Sequence, residues 1–268
     1  MPDAIRYHHG AAAGGDEQIE GYGQGNGPGY IGAISRSRLV NLSHPISLRI
    51  PCWPGDPPPE FEDWSGIQRD GYYLRRFSMS EHAGTHLTAP ASFYADGRTV
   101  DEFSPEELVR PAVVIDMRQQ CQTNRDYALT VDDLTTWESR HSPVPAGSIA
   151  LLLTGWAERW GNPREYLGTD ADGGLHFPGF GPDAAALLVN ERRVAGLGTD
   201  TAGVDPGIDG SFTISRLALA QPRIVLENLA NLYQLPPTGA VLVIGLLPLE
   251  GGSGSPAAVT AFLLPLNE

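Results

Sequence analysis

In the stretch "EHAGTHLTAPASFYADGRTVDEF" (residues 81–103), His82 and His86 stand four residues apart around a Gly-Thr pair. Two imidazoles at that spacing can form half of a metal site, or a pair of acid–base groups that titrate near neutral pH. Gly84 and Thr85 disfavour a helix here. A turn is expected instead, with Gly84 bending the backbone so that both rings reach one point. The nearby positions that would complete a metal site are Thr88 and Ser92, whose neutral hydroxyls are weak ligands. Histidine is also a good core hydrogen-bonder, so the spacing alone leaves both a metal site and a structural pair open.

Other residues invite a functional reading less directly. Trp53 sits in "PCWPGDP", a Pro-locked turn where a large aromatic can wall a pocket or cover a strand end. Phe93, Phe177 and Phe180 are core candidates first and pocket candidates second. His176 precedes "FPGF" in a loop, where function is common but plain turn residues are commoner. His44 in "LSHPI" reads as a structural hydrogen-bonder, and His141 in "ESRHSPVP" as solvated, like His8 and His9. Asp200 and Asp205 in "GTDTAGVD" follow a buried strand, the usual place for function in α/β proteins. Asp before Thr in such a turn is commonly a backbone brace, the reading favoured for Asp200. The glycine-rich "EGGSGSP" lacks the Lys-Ser/Thr ending of a phosphate loop and reads as a turn.

The elements that must position these groups are short. "AVVIDM" (112–117) and "IALLLTGW" (149–156) are continuous apolar runs, expected of strands buried on both faces. "GPDAAALLVNERRV" (181–194) has helical spacing and feeds the strand "VAGLGTD". "PRIVLENLANL", "AVLVIGLLPL" and "AAVTAFLLPL" add further strands, and "SPEEL" (104–108) carries a helix-start signature. Residues 1–37 lack apolar periodicity and read as a flexible N-terminal arm; 38–268 read as one catalytic domain. The fold class is α/β, a single domain with a mixed sheet and few helices. Eighteen basic against 32 acidic residues give a net charge of −14, which repels phosphate backbones and anionic membranes. No apolar run is long enough to span a bilayer, and the start lacks the apolar core of a signal peptide. Cys52 and Cys121 make no disulfide framework, so a cytoplasmic location is expected.

The stretch at 82–92 resembles the His-x-Gly-Thr-His-x-Asp-x-Pro-x-His signature of the cyclase family that includes bacterial kynurenine formamidase and isatin hydrolase. His82, Gly84, Thr85, His86 and Pro90 match it. "LSHPI", "PCWPGDP", "PAVVIDMR", "LLLTGW", "HFPGF", "GLGTDTAGVDP", "LENLANLYQLPPTGA" and "EGGSGSPAAVTAF" extend the resemblance from about residue 39 to the end. It implies a β-barrel-like α/β fold, homodimers or homotetramers, and active sites lined near subunit contacts. It also implies that aromatics around Trp53 and the loop of His176 and Phe180 lie against the substrate. The departures matter more. Thr88 replaces the family's aspartate ligand, Ser92 its acid/base histidine, and Ser215 a further histidine ligand, while Glu227 keeps the glutamate. Two readings stay open. In one, His82, His86 and Glu227 hold a single divalent ion, zinc or manganese, which activates water for hydrolysis of a small amide, lactone or cyclic imide. In the other there is no metal, and His82, His86, Glu227 and Ser92 work directly on a carbonyl-bearing small molecule, with Trp53, Thr88, Phe93, His176, Phe180 and Ser215 as its contacts. Ring closure or addition–elimination needs less machinery than hydrolysis and is the reaction favoured here. A non-catalytic small-molecule binding protein on the same scaffold is the third alternative.

Overall fold

The computed structural model describes residues 38–263; the arm read at 1–37 lies outside the described residues. The continuous apolar runs are indeed strands: β5 (Val109–Asp116), β7 (Ile149–Leu153), β9 (Gly196–Thr199) and β10 (Ile224–Glu227) lie side by side in parallel. β11 (Ala240–Leu246) and β12 (Gly254–Leu263) follow antiparallel on β5. The short β4 (His86–Thr88) pairs antiparallel with both β10 and the start of β12, which closes seven strands into a barrel. β1 (Arg38–Asn41) adds to the free edge of β12.

Alternation along the strands divides the core in two. Leu87, Val114, Leu151, Leu226, Leu242 and Val259 point into the barrel. Val113, Ile115, Ala150, Leu152, Leu197 and Val225 point outward under a layer of helices. On β9 the inward positions are Gly196 and Gly198; a Cβ at Gly198 would come within 2.6 Å of Leu151, so glycine there makes room for the barrel's filling.

The covering helices are α2 (Arg118–Thr123), α3 (Val131–His141), α5 (Pro182–Ala186) and α6 (Thr213–Leu219), with α1 (Ile67–Asp70) and α4 (Pro163–Leu167) elsewhere on the surface. α3 begins on a capping box of Thr130 and Asp133, and Trp137 on its buried side donates to the Val114 carbonyl at 2.9 Å. The helix expected over 181–194 is α5 continued by a wider π turn, Leu187–Glu191. The helix expected at 104–108 does not form. Glu107 is drawn to Arg98 at 2.6 Å and to the Ser104 amide at 2.9 Å, and the chain turns straight into β5. A hairpin of β2 (Glu60–Ser65) and β3 (Leu74–Ser78) and a small pair of β6 (Ala128–Leu129) and β8 (Gly179–Phe180) complete the fold. Among the described residues no helix is long and apolar enough to cross a membrane.

Candidate active site

Because Leu87 faces the barrel interior, His86 and Thr88 face outward on β4, and Glu227 on β10 lies directly opposite His86 in the ladder. Gly84, in the left-handed region at φ 67°, turns the chain into β4 and aims its carbonyl at His86 Nδ1, 2.9 Å away. His82, on the turn before β4, comes back over the same face, its ring edge-on to His86 with centroids 5.2 Å apart. These groups wall a cavity of about 420 Å³, within the usual range for a small-molecule site.

The hydrogen bonds order the site. His86 Nε2 lies 2.9 Å from Glu227 Oε2, and Thr88 Oγ1 donates to the same oxygen at 3.0 Å. The His86 ring is thus held between the Gly84 carbonyl and the Glu227 carboxylate. Burial alone would push the Glu227 carboxyl up, but hydrogen bonding and charge from His86, the charge of His82 and the Thr88 hydroxyl outweigh it and hold it below its ordinary value. Since the Thr88 proton goes to Glu227, its oxygen is left to accept from His82 Nδ1, 3.3 Å away. That suits an Nδ1–H on His82, and Nε2 is the ring nitrogen turned towards the two serines. Burial, and then the neighbouring His86, push the His82 pKa down, against smaller pulls from Glu227, Glu81 and Asp56.

Around Nε2 stand two serines. Ser253 Oγ lies 3.1 Å from it and has a second acceptor, Glu81 Oε2, at 2.8 Å; Ser92 Oγ lies 3.5 Å from it and donates to the Ser253 carbonyl at 2.9 Å. Glu81 also takes the Ser253 amide at 2.9 Å. Gly254, the first residue of β12, packs on the His82 ring so closely that a Cβ would reach its Cε1 at 2.5 Å.

On the opposite wall Asp205 accepts from the Ile214 and Ser215 amides and from Ser215 Oγ at the start of α6. Burial pushes its pKa up to about 6, against the pull of the Ser215 hydroxyl and those two amides. Trp53, Phe212 and Phe93 form an aromatic side, with Phe212 between the other two at centroid distances of 5.8 and 5.6 Å. Phe212 holds φ 55°, a left-handed conformation costly for a bulky side chain.

Nine of the residues singled out from sequence line this one cavity: His82, His86, Thr88, Ser92, Glu227, Trp53, Phe93, Asp205 and Ser215. His176 and Phe180 do not. Phe180, on β8, is fully buried in the outer core because the "HFPGF" segment runs under the helices. His176 turns outward to bridge Asp126 at 2.9 Å and Asp170 at 3.1 Å, and those carboxylates, Asp170 first, raise its pKa. Asp200 is a brace, as read, though to the end of β7: it accepts from the Thr154 and Gly155 amides at 2.9 Å each. His44 hydrogen-bonds through its backbone amide, to Thr85 Oγ1 at 3.0 Å; its ring stacks on Trp160 at 4.0 Å, Nε2 has no partner among the described residues, and burial lowers its pKa to about 4. Sequence reasoning missed Glu81, Asn228, Phe212 and Ser253. Asn228, at φ 56° beside Glu227, was legible as the Asn of "LEN", a residue type that tolerates that conformation.

The donor set does not fit a metal ion. A catalytic zinc needs three convergent protein ligands, and among the described residues no three His, Cys, Asp or Glu side chains come together in that way. Glu227 Oε2 is already engaged by His86 and Thr88, and its Oε1 lies 3.3 Å from the Val204 amide. Both nitrogens of His82 lie against hydroxyls. Ser215, at the position where the resemblance expects a histidine ligand, is bound to Asp205. None of these atoms is left as an orphaned donor or acceptor.

The fold and site therefore define a closed mixed barrel carrying a histidine–carboxylate cluster on its outer face. The chain belongs to the Cyclase family, whose model matches residues 40–206. Isatin hydrolase of Roseibium aggregatum is 34% identical over 194 residues, covering 69% of this chain and 73% of the relative. Kynurenine formamidase of Bacillus mycoides is 35% identical over 234 residues, covering 87% of this chain and 100% of the relative. In solved structures, isatin hydrolase A from Labrenzia aggregata bound to benzyl benzoate superposes with a TM-score of 0.81 at 35% identity, covering 87% of this chain and 95% of that one. Those relatives are hydrolytic enzymes of the family, and this chain is an enzyme of the same family.

Proposed function

We propose that this chain is a metal-independent acid–base enzyme that closes a ring, or adds and eliminates across a carbonyl, within one small aromatic-sized molecule. The observation that supports the proposal is the order Glu227–Thr88–His82, in which an Nδ1–H donated to Thr88 lets His82 Nε2 serve as the base of the cavity. His82 takes the proton from an N–H or O–H group as it attacks the carbonyl. The same proton then returns to the leaving group or the alkoxide. A positioned base of this kind contributes about 10²–10⁴-fold. The rest of the rate comes from holding the reacting groups together in a cavity closed by Trp53, Phe212 and Phe93. The His86–Glu227 pair holds the carboxylate that orients Thr88, and Ser92 or Ser253 would turn its hydroxyl from the Ser253 carbonyl or Glu81 to meet the developing oxyanion.

A second reading, hydrolytic opening of a lactam or aryl formamide, is favoured by the relatives named isatin hydrolase and kynurenine formamidase. It uses the same base with water as nucleophile. The expectations of a homodimer or homotetramer and of a cytoplasmic location carry over from the sequence. Incubating the protein with lactams, cyclic imides, aryl formamides and their ring-opened forms, with and without chelator, tests the proposal. Turnover that survives chelation and disappears in His82→Ala supports it. Turnover that needs added zinc or manganese overturns it.

A further inference from the structure

Ser253 immediately precedes β12 and borders the cavity, half-buried. Its Oγ stands 3.1 Å from His82 Nε2, nearer than Ser92 Oγ at 3.5 Å. The Ser92 hydroxyl is already given to the Ser253 carbonyl at 2.9 Å. The Ser253 proton has two places to go, His82 Nε2 and Glu81 Oε2, the latter 2.8 Å away. Glu81 Oε2 also takes the Ser253 amide at 2.9 Å and the Gly254 amide at 3.3 Å, so it stays satisfied when the hydroxyl swings to the ring.

A serine hydroxyl is a weak nucleophile until a base within hydrogen-bond reach takes its proton, and that base needs a third group to orient it. His82 has this support on its other nitrogen. Nδ1 lies 3.3 Å from Thr88 Oγ1, and Thr88 donates to the buried Glu227 at 3.0 Å. Gly254 backs the ring so closely that no Cβ fits between them, which keeps Nε2 turned to Ser253. The charge of Glu81 favours the His82 ring once it has taken a proton. The order Ser253–His82–Thr88–Glu227 is thus nucleophile, base and orienting carboxylate, with a threonine hydroxyl set between the last two. Such sets are recognised by geometry, not by position in the chain.

From this geometry we infer that Ser253 is the covalent nucleophile of the site, acting on an aryl-sized acyl compound whose leaving group is an amine or an alcohol. Ser253 Oγ bonds to the carbonyl carbon and its proton passes to His82 Nε2. The bond from that carbon to nitrogen or oxygen then breaks, and the leaving atom takes the proton from Nε2. The acyl group stays as an ester on Ser253. A second nucleophile attacks the ester: water for ring opening, or the molecule's own amine or hydroxyl for closure. Its proton goes to Nε2 and from there back to Ser253 Oγ as the ester bond breaks. Ser92 is left as the hydroxyl that turns to the oxyanion. The inference rests on the reading of His82 as the base.

Phenylmethylsulfonyl fluoride tests it on the full chain, because an activated Oγ displaces fluoride and the sulfonyl ester then persists. Intact-mass and peptide mass spectrometry should find a single adduct per chain, on Ser253, that is absent in Ser253→Ala and in His82→Ala. A serine that only fastens the start of β12 to Glu81 would take no label in the parent. Against the lactams, imides and formamides named above, Ser253→Ala and His82→Ala should each lose about 10²–10⁴-fold in turnover. The double variant should lose no more than either alone, because the two groups act as a unit. An unlabelled parent overturns the inference, and so does label on Ser92 or another residue, or label kept in His82→Ala at the parent rate. Turnover lost in His82→Ala but kept in Ser253→Ala overturns it and leaves the base standing. Turnover kept in both variants overturns the base as well.

Discussion

Gly254→Ala is the substitution that reaches the base of the site with the smallest chemical change. Gly254 is not in the left-handed region, so alanine suits its backbone. Its Cβ, however, would lie 2.5 Å from His82 Cε1, 2.9 Å from Nδ1 and 3.0 Å from Nε2. Carbon atoms in contact sit about 3.5–4.0 Å apart, so the ring must retreat by roughly 1 Å. That retreat breaks the 3.3 Å contact to Thr88 and the 3.1 Å contact to Ser253 that hold Nε2 in place. A misplacement of this size costs about 10²-fold in turnover, and overpacking costs about 1–3 kcal/mol in stability. The assay pairs turnover with denaturant unfolding. Gly245→Ala on the neighbouring β11 serves as control, since its Cβ meets nothing closer than 3.5 Å. The control should keep parent turnover. Parent-like turnover in Gly254→Ala would refute the placement of His82 as the working base.

Asp205 should make stability fall as pH rises. Its folded pKa is raised by burial from 3.8 to about 6, so the stabilisation it contributes is fully present below pH 3.8 and lost as pH rises through 6. The full effect is about 3 kcal/mol. Urea unfolding at pH 4–7.5 should show Asp205→Asn gaining on the parent by that order, and a constant difference between them would contradict it. Glu227→Gln weakens the buried acceptor shared by His86 and Thr88 and should destabilise by about 1–3 kcal/mol. In the double variant with His86→Gln the losses should add to less than their sum, as a thermal-melt cycle would show. Thr88→Asp with Ser215→His restores an anionic and an imidazole donor; zinc at a hundredfold excess over its Kd should then stabilise the variant by about 2.7 kcal/mol and leave the parent unmoved. An equal zinc response in both would contradict it.

What was legible in the sequence followed from local rules. β5, β7 and β9 announced themselves as apolar runs because strands buried on both faces need no alternation. His82 and His86 were legible from their spacing, whereas Glu227 was legible only through the family resemblance; the β4–β10 ladder is what sets it opposite His86. The hairpin 60–78 was not, since charges and aromatics alternate there without an apolar face turned to a core. Glu81, Phe212 and Ser253 act only through contacts over long sequence separation, for which no local spacing exists. Phe212 and Ser253 also sit in turns that read as plain loops. His176 and Phe180 stand together in "HFPGF", and the resemblance placed that loop by the substrate. Packing turns one outward to Asp126 and Asp170 and the other into the core.

The most direct test of a metal-free base is the metal content of the full chain. Protein purified without chelator, then dialysed against zinc or manganese and washed, would be measured by plasma mass spectrometry beside His82→Ala/His86→Ala. The donor set predicts substoichiometric metal in both, with no difference between parent and variant. One equivalent per chain in the parent, lost in the variant, would contradict it.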